Sequence, residues 1–483
     1  MSVMLAETRA DDATAVAEAP RRERKRVVII GGGFAGIAAA RALRRADVDV
    51  ILIDRRNHHI FQPLLYQVAT AVLSPAEIAA PIRQLEVKQK NLSVLLAEVT
   101  GIDVASRTIE ATSPGAGALK IAYDYLVVAT GMRPSYFGHD EFAQYAPGLK
   151  NLGDAETIRA KILGAFELAA TTEGKAERAR QMTFVLVGAG PSGVELAASL
   201  AQMVKSTLRG NFRRIDPAQA NIILLDAGKR VLPTFAESLS RRATRRLTKL
   251  GVKVLTGVKV ETVDAQGVVA GGNRIPSATV LWTAGVAASP IPKMLGTKTD
   301  RAGRALVDPF LKVVDAPGAF VVGDAASVMQ KNEHPVPGVA QAAIQEGHYV
   351  GRLIAKELKG RKVKRPFSYF DKGNMAVVGK NYAVLERGWL RTSGALTWLV
   401  WAFVHILAQL QNRWRVQHQW LWSYFTGQRS SRLIPEPPRV AAPARDSREG
   451  HYPPRSKTAV SDDRNPRERN ARTIADRSGW WHA

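Results

Sequence analysis

Cysteine is absent from the 483 residues of this sequence. Without a thiol the chain forms no disulfide, has no thiolate nucleophile and offers no cysteine-based metal site. Redox chemistry that runs through a cysteine pair, or that carries sulfur on a cysteine, is therefore excluded.

A signal for export is also missing. Arg21 and Arg22 form a basic pair, but the apolar residues that follow at 27–30 make a short strand pattern and not the h-region of a signal peptide. A mitochondrial transit peptide is disfavoured by the acidic residues Glu7, Asp11, Asp12 and Glu18. We therefore expect that the chain is not exported.

Acidic residues are few compared with basic ones. The sequence has 43 Asp and Glu against 68 Lys and Arg, which gives a formal charge of +25. Such an excess predicts a polyanionic partner, which can be nucleic acid, an anionic bilayer or a nucleotide cofactor. The length suggests two or three domains, and an apolar content of 46% is enough to fill sizeable cores.

A strand–helix–strand pattern opens the ordered part of the sequence at residues 27–54. An apolar strand runs into Gly31, Gly33 and Gly36, which have the GxGxxG spacing, and a second strand ends on Asp54. Gly31 permits the tight turn, Gly33 lets a pyrophosphate approach the backbone, and Gly36 lets helix pack on strand. This unit predicts a dinucleotide site.

The same pattern returns at residues 184–226. The glycine spacing repeats at Gly188, Gly190 and Gly193. The second strand of this unit ends on Asp226, whose carboxylate repels a 2′-phosphate and therefore favours NADH over NADPH. The nearby cations Lys229 and Arg230 weaken that preference. Two such units predict that the chain binds two dinucleotides.

Three more strand patterns end in small residues, which let a ligand approach the edge of a sheet. These ends are Thr130 with Gly131, Gly285, and Gly323 with Asp324.

A helical pattern from Ala340 places Gln341 and Gln345 on one face. That face is either solvated or, since alanines flank it, suited to the approach of a ring system. His58 and His59 have no third ligand at metal spacing, so we expect no metal site.

These motifs resemble those of the flavoproteins with two dinucleotide-binding domains, and in particular the bacterial type II NADH dehydrogenases. The matching stretches lie between residues 27 and 384 in the order GGGFAG, NHHIFQPLLYQVAT, VVATG, GAGPSGVELA, LLDAGKRVLP, VLWTAG, VVGDAA, AQAAIQEG and DKGNMAVVGK. The resemblance implies an α/β fold with two Rossmann-like domains, with FAD in the first and NADH in the second.

The resemblance also implies which residues bind the two nucleotides. For FAD they are Gly31, Gly33, Phe34, Ala35, Gly36, Asp54, Arg55, Val99, Thr130, Gly131, Gly323 and Asp324. For NADH they are Gly188, Gly190, Pro191, Ser192, Gly193, Asp226 and Gly285.

The implied activity is that of a single-subunit NADH:quinone oxidoreductase. Glu195 matches an acidic residue near the nicotinamide, although a carboxylate at a helix start is also favourable with the dipole. Lys372 is the candidate cation near the flavin, and Gln341 and Gln345 are expected on the quinone side. Without cysteine, electrons must pass directly to an acceptor, for which quinone fits best. A ferredoxin-type acceptor and a non-catalytic NADH-sensing flavoprotein are the alternatives.

The C-terminal pattern favours a membrane. Apolar residues recur at helical spacing from Leu396 to Leu410, and residues 412–425 mix Trp and Tyr with Arg and Gln. The run is shorter than the roughly 20 apolar residues of a spanning helix, so we expect an amphipathic helix lying in an anionic bilayer surface. A core-packing or dimer helix is the alternative. We expect a homodimer on the cytoplasmic face of the bacterial inner membrane, with membrane quinone as acceptor and no nucleic acid as partner.

The predicted domains follow from these assignments. They are a mobile leader at 1–25, an FAD-binding domain at 26–154 and 301–365, an NADH-binding domain at 155–300, a membrane-anchoring region at 366–426 and a disordered basic tail at 427–483.

Overall fold

The structure is a computed structural model that describes residues 24–330, 334–408, 416–421, 429 and 431–433. The predicted leader up to residue 23, and the predicted tail beyond residue 433, lie outside the described residues. Within these residues the chain has the expected α/β fold with two parallel sheets.

The first sheet consists of five parallel strands, in the spatial order Ala319–Val321, Tyr125–Val128, Arg26–Ile30, Asp49–Asp54 and Leu92–Leu96. Its central strand is almost fully buried, which explains the uninterrupted run of Val and Ile. Helix Phe34–Ala42 packs against helix Ala340–Glu357. Gly347 and Gly351 permit this close packing, because a Cβ on either would overlap the facing helix. The chain thus returns to the first sheet after residue 300.

The second sheet consists of four parallel strands, in the spatial order Val252–Thr256, Asn221–Asp226, Thr183–Val187 and Thr279–Trp282. Helices Pro191–Gln202 and Glu237–Lys249 supply the crossover connections that parallel strands require. Helix Leu152–Thr171 precedes the sheet and begins at a capping box formed by Asn151 and Asp154. This cap fixes the start of the helix at Leu152.

Antiparallel strands complete the described part of the chain. They form three three-stranded sheets, which are Glu98–Asp103 with Thr108–Ser113 and Gly117–Ala122, Val260–Asp264 with Gly267–Ala270 and Asn273–Pro276, and Asn374–Val377 with Ala383–Arg387 and Leu390–Gly394. Smaller elements are the helices Leu65–Ala69, Pro75–Ile78 and Lys175–Gln181, the antiparallel pair His58–Ile60 with Ala79–Pro81 and the parallel pair Ala305–Leu306 with Ala326–Ser327. The pair Met132–Pro134 with Val286–Ala288 follows one strand of each parallel sheet and so joins their carboxyl edges.

One hydrophobic cluster connects the second sheet to the C-terminal part. It runs from residues 61–78 through helices Leu152–Thr171 and Pro191–Gln202 to strand Asn374–Val377 and Trp401. This continuous packing fixes the last sheet and helix against the rest of the chain.

Helix Ala395–Ala408 turns its apolar residues outward. Leu396 is 79% exposed and Phe403 is 63% exposed, whereas Thr397 and Trp401 are only 3% and 2% exposed. Trp401 therefore packs this helix against the body of the fold. Among the described residues, no helix combines the length and apolar character needed to cross a bilayer.

Two residues of the predicted tail are buried. Arg429 is 6% exposed and Ser431 is 8% exposed, and Arg429 donates hydrogen bonds to the backbone oxygens of Thr70 and Ser199. This contradicts the prediction of disorder from residue 427 for these positions. The composition around them gave no signal, because the partners are more than 200 residues away.

Candidate active site

The first glycine loop follows the central strand of the first sheet. Gly31 has a φ of +107°, and a Cβ there would overlap the carbonyl group of Ala129. A Cβ on Gly36 would overlap the carbonyl oxygen of Gly31. Gly33 differs, since its φ of −78° suits any residue and a Cβ would find only the Ala129 oxygen, 4.0 Å away. The fold therefore needs Gly31 and Gly36, whereas Gly33 keeps open the space that a pyrophosphate occupies at a helix N-terminus.

Asp54 ends the neighbouring strand and holds this loop in place. Its carboxylate accepts the N–H of Gly32 at 2.6 Å and the N–H of Arg56 at 2.8 Å. These bonds fix the carboxylate at the edge of the sheet, and its oxygens retain lone pairs for ribose hydroxyls.

Four other predicted FAD residues surround the loop. Phe34 makes edge contacts with the rings of His59 and Phe61, at 5.0 and 5.8 Å between centroids. Ala35 is buried under helix Ala340–Glu357. Arg55 forms an exposed ion pair of 3.6 Å with Glu98, and the buried Val99 comes next in the chain. All four thus lie at the carboxyl edge of the first sheet or directly beside it.

The second glycine loop has the same geometry as the first. Gly188 has a φ of +105° and a Cβ on Gly193 would overlap its carbonyl oxygen. Gly190 has a φ of −68°, and a Cβ there would meet no atom within 4 Å. Asp226 accepts the N–H of Ala189 in this loop, just as Asp54 accepts the N–H of Gly32 in the first loop. A second dinucleotide therefore fits this loop on the same grounds as the first.

Arg230 has other partners close to its own loop. Its guanidinium donates to the carbonyl oxygens of Pro233 and Phe235, at 2.8 and 2.5 Å. These bonds hold the cation in the turn after Asp226. Arg230 is therefore less available to offset the repulsion of a 2′-phosphate by the Asp226 carboxylate.

A hydrogen bond connects the chain segments that follow the two parallel sheets. Thr130 accepts a hydrogen bond from the Ser289 hydroxyl at 2.6 Å, which ties the end of a first-sheet strand to the chain beyond Gly285. Gly285 has a φ of +69°, and a Cβ there would overlap the ring of Phe137. Gly131 also has a positive φ, of +63°, and faces open space.

A hollow next to the second loop contains a lysine that the sequence patterns did not single out. Pro191 and Ser192 line this hollow together with Gly285 and Lys150. Burial lowers the pKa of Lys150, while Asp324 and Asp154 raise it. Lys150 therefore lines the hollow at the second loop, and its charge interacts with that of Asp324.

Asp324 is held at the first site by the return of the chain. Burial raises its pKa, and the charges of Lys150 and Arg304 oppose that shift. The preceding residue, Gly323, donates its N–H to the buried carboxyl group of Glu346 at 2.5 Å. Burial raises the pKa of Glu346 to about 8, so this second residue missed by the sequence patterns is protonated at neutral pH.

Glu195 lies on the first turns of helix Pro191–Gln202. Part of the residue reaches solvent, but protein atoms enclose its carboxyl group, and this burial raises its pKa to about 8. The carboxyl group accepts the N–H of Val377 at 3.2 Å. Glu195 is thereby connected to the strand that follows Lys372.

Gln341 and Gln345 bind the loop that carries Lys372. Gln341 donates to the oxygen of Gly373 at 3.0 Å and accepts the N–H of Lys372 at 3.2 Å. Gln345 makes the corresponding pair of bonds with the backbone of Phe370, at 3.0 and 2.9 Å. The structure thus brings both glutamines and Lys372 together, and the glutamines determine where this loop lies.

The alanines that flank these glutamines serve packing. Ala342 and Ala343 are 2% and 6% exposed, and Ala343 lies against Gly323. These two alanines therefore pack against the body of the fold, and the approach of a ring system to this helix start stays a prediction. No group of three or more potential metal-ligating residues is found within the described ranges.

Comparisons with known proteins agree with this geometry. The family model of the pyridine nucleotide-disulphide oxidoreductases matches residues 25–347. The type II NADH:quinone oxidoreductase NdhA of Mycobacterium tuberculosis is 45% identical over 413 residues, which are 83% of this chain and 86% of that protein. Ndh of the same organism, also a type II NADH:quinone oxidoreductase, is 46% identical over 401 residues, which are 81% of this chain and 85% of that protein.

Solved structures share the fold at lower identity. NDH2 from Plasmodium falciparum, solved in complex with NADH, has a TM-score of 0.76 and 21% identity over 84% of this chain and 99% of that one. The sulfide:quinone oxidoreductase of Aquifex aeolicus has a TM-score of 0.62 and 19% identity over 83% of this chain and 95% of that one. Together with the two glycine loops and the mycobacterial relatives, these findings show that the chain belongs to the pyridine nucleotide-disulphide oxidoreductase family and, within it, to the type II NADH:quinone oxidoreductases.

Proposed function

We propose that this enzyme oxidises NADH and reduces a membrane quinone, with FAD as its resident cofactor. The observation that carries this proposal is the pair of glycine loops, each open beyond its second glycine, at joined sheet edges in a chain without cysteine. When bound, FAD accepts a hydride from NADH and passes two electrons to quinone. The protein's part is to hold the reacting groups in contact and to control the charges and protons around them.

For FAD we assign the first glycine loop and the strand ends around it. Gly33 leaves room for the pyrophosphate, Asp54 offers its carboxylate to a ribose, and Asp324 binds from the returning chain. The other residues assigned to FAD are Gly31, Phe34, Ala35, Gly36, Arg55, Val99, Thr130, Gly131 and Gly323.

For NADH we assign the second glycine loop and the hollow beside it. Gly190 leaves room for the pyrophosphate, and Asp226 selects NADH by repelling a 2′-phosphate. Gly285 and Lys150 lie across the hollow from this loop. The other residues assigned to NADH are Gly188, Pro191, Ser192 and Gly193.

For the chemistry we assign Glu195, Lys372, Gln341 and Gln345. With a pKa of about 8, Glu195 holds a proton at neutral pH and can release it to a neighbouring group. Lys372 supplies a positive charge that stabilises negative charge built up during reduction. Gln341 and Gln345 keep this cation in place on the quinone side through their bonds to residues 370–373.

We assign the outward face of helix Ala395–Ala408 to an anionic bilayer. Leu396, Leu399, Val400 and Phe403 are 47 to 79% exposed on this face. Such a surface suits an amphipathic helix that lies in the interface, and the formal charge of +25 favours anionic lipid.

The remaining assignments concern assembly and domain limits. We place the protein as a homodimer on the cytoplasmic face of the inner membrane. FAD then binds to residues 26–154 and 301–365, NADH to residues 155–300, and the membrane to residues 366–426.

Steady-state turnover with NADH and a water-soluble quinone tests the activity. We expect catalytic oxidation of NADH with matching reduction of quinone. Bleaching of the flavin by NADH without reoxidation by quinone would instead indicate an NADH-sensing protein. Turnover with a ferredoxin-type protein, but not with quinone, would show that the electron acceptor is a ferredoxin-type protein.

Binding to vesicles that contain anionic lipid tests the membrane assignment. The double substitution Leu396→Glu with Phe403→Glu should weaken binding at least about tenfold, since charged groups are costly at the interface. Val314→Glu is the matched control, because Val314 is 74% exposed on another part of the chain. Equal binding by the double variant and the control would show that this helix does not contact the membrane.

A further inference from the structure

Phe137 combines a strained backbone with an exposed aromatic ring. Its φ is +56°, a left-handed conformation that is rare and unfavourable for a bulky side chain. The side chain leaves Phe137 69% exposed, whereas the preceding Tyr136 is only 8% exposed and packs against Trp282 with 5.1 Å between ring centroids. The aromatic cluster that encloses Tyr136 therefore does not enclose its neighbour. Strain of this kind occurs at ligand sites, where the surrounding structure holds it in place.

The surrounding hydrogen bonds hold this turn in place. The N–H of Phe137 donates to Oγ of Ser135 at 3.3 Å. Ser135 in turn donates its N–H to the oxygen of Gly285 at 3.3 Å, and its own oxygen accepts the indole N–H of Trp282 at 2.9 Å. The turn that carries Phe137 is therefore attached to the end of strand Thr279–Trp282 and to the residues that follow it.

The Phe137 ring lies beside the hollow next to the second glycine loop. A Cβ on Gly285 would overlap this ring, and the ring of Trp282 is 6.5 Å away between centroids. Gly285 and Trp282 both line the hollow. Val286, which is 41% exposed, and its strand partner Pro134 line it as well. This side of the hollow is thus apolar and suits a flat, uncharged ring.

The strand order of the second sheet indicates which end of NADH reaches this side. Strands Asn221–Asp226, Thr183–Val187 and Thr279–Trp282 are neighbours in that order. The adenosine ribose is assigned to Asp226 and the pyrophosphate to the glycine loop after Thr183–Val187. A dinucleotide that continues in the same direction brings its nicotinamide to the residues after Trp282.

We propose that Phe137 is a binding residue for the nicotinamide ring of NADH, which its aromatic side chain covers in the hollow lined by Trp282, Gly285 and Val286. The reduced nicotinamide is flat and uncharged, so an aromatic contact in apolar surroundings stabilises it. Contact with a side chain that the turn holds in place also limits the positions that the ring can take. This inference rests on the proposed function, because it concerns the reacting half of NADH.

The test compares two ligands in the full-length, FAD-loaded protein. The NADH dependence of anaerobic flavin reduction, measured by stopped flow, gives the affinity for NADH. Competition with this reaction gives the affinity for ADP-ribose, which has the pyrophosphate and both riboses but no nicotinamide. Phe137→Ala should weaken NADH binding about three- to tenfold, the effect of one aromatic contact, and should leave ADP-ribose binding unchanged. Val314→Ala is the matched control, because Val314 is 74% exposed on another part of the chain, and it should change neither affinity.

Two further variants separate the ring from the strained backbone. Phe137→Tyr keeps the aromatic ring and should retain the wild-type affinity for NADH. Phe137→Gly removes the ring together with the strain at this positive φ, since glycine adopts this conformation freely. It should nevertheless lose affinity for NADH as Phe137→Ala does. If Phe137→Ala yields no FAD-loaded protein, the glycine variant takes its place in the test.

Three results would overturn the inference: wild-type affinity for NADH in Phe137→Ala, an equal loss of affinity for NADH and for ADP-ribose, or a loss in Phe137→Tyr as large as that in Phe137→Ala. The proposed function fails on different grounds. Wild-type protein whose flavin is not reduced by NADH, or is not reoxidised by quinone, would contradict it. A failure confined to the Phe137 variants therefore concerns only the nicotinamide contact.

Discussion

Substituting alanine for Gly190 or for Gly193 should distinguish an effect on NADH binding from an effect on stability. Gly190 has a φ of −68° and a ψ of −177°, and a Cβ there would meet no atom within 4 Å. Gly190→Ala should therefore leave the folded state unstrained and raise the free energy of unfolding by about 0.4–1 kcal/mol, because the unfolded chain loses freedom. A Cβ on Gly193 would overlap the carbonyl oxygen of Gly188 and lie 2.7 Å from the Thr283 hydroxyl. Gly193→Ala should cost about 1–3 kcal/mol of stability, as overpacking does.

The effect on NADH follows from the same geometry. The new methyl group of Gly190→Ala occupies the space assigned to the pyrophosphate. A steric cost of about 1–3 kcal/mol weakens binding by about 5- to 150-fold. Thermal unfolding of the FAD-loaded protein without NADH measures stability, and the NADH dependence of flavin reduction measures binding. A Gly190→Ala variant that is destabilised like Gly193→Ala, or that binds NADH normally, would refute the assignment of this loop.

Further substitutions test the remaining assignments. Asp226→Asn should raise the KM for NADH and relax the discrimination against NADPH in steady-state kinetics, because the neutral amide no longer repels a 2′-phosphate. Gln345→Leu should slow reoxidation of the flavin by quinone in stopped-flow experiments, since it releases the backbone of Phe370, and should leave reduction by NADH intact. The free energy of unfolding of Glu346→Gln relative to the wild type, measured with urea, should increase with pH up to about pH 8. Burial raises the pKa of Glu346, so above the lower unfolded pKa the native state keeps a proton that the unfolded state has lost, and wild-type stability falls by about 1.4 kcal/mol per pH unit until the folded pKa is reached.

Each of these predictions has a contrary outcome. Equal rates with NADH and NADPH in the unmodified protein would show that the neighbouring cations outweigh Asp226. Loss of reduction by NADH, rather than of reoxidation, would give Gln345 a role on the nicotinamide side or in general packing. A Glu346→Gln variant with the wild-type dependence of stability on pH would show that this carboxyl group is ionised in the folded protein.

The local parts of the site could be predicted because their signals lie within single strand–helix–strand units. The spacing of Gly31, Gly33 and Gly36 and its repeat after residue 187 predicted both loops, and the predicted α/β fold and family are confirmed. Even there, the sequence did not reveal that Asp54 is bonded to the loop backbone before any ribose approaches.

Long-range contacts were beyond the reach of local patterns. Lys150 and Glu346 matter because the fold brings them to Asp324 and Gly323. No motif surrounds Lys150, and the stretch AQAAIQEG around Glu346 gave no sign of its bond to Gly323. Helical spacing placed Gln341 and Gln345 on one face, but their partners lie about 30 residues away in a loop of no regular pattern. Arg429 was assigned to a disordered tail by its surroundings, whereas its two backbone partners hold it in the body.

The anaerobic titration of the purified protein with NADH, followed in the visible absorption spectrum, tests the central claim most directly. We expect bound-flavin bands in the protein as isolated, loss of these bands with one equivalent of NADH per flavin, and their return when a soluble quinone is added. A purified protein without flavin bands, or one whose flavin is bleached by NADH and does not recover with quinone, would contradict the account.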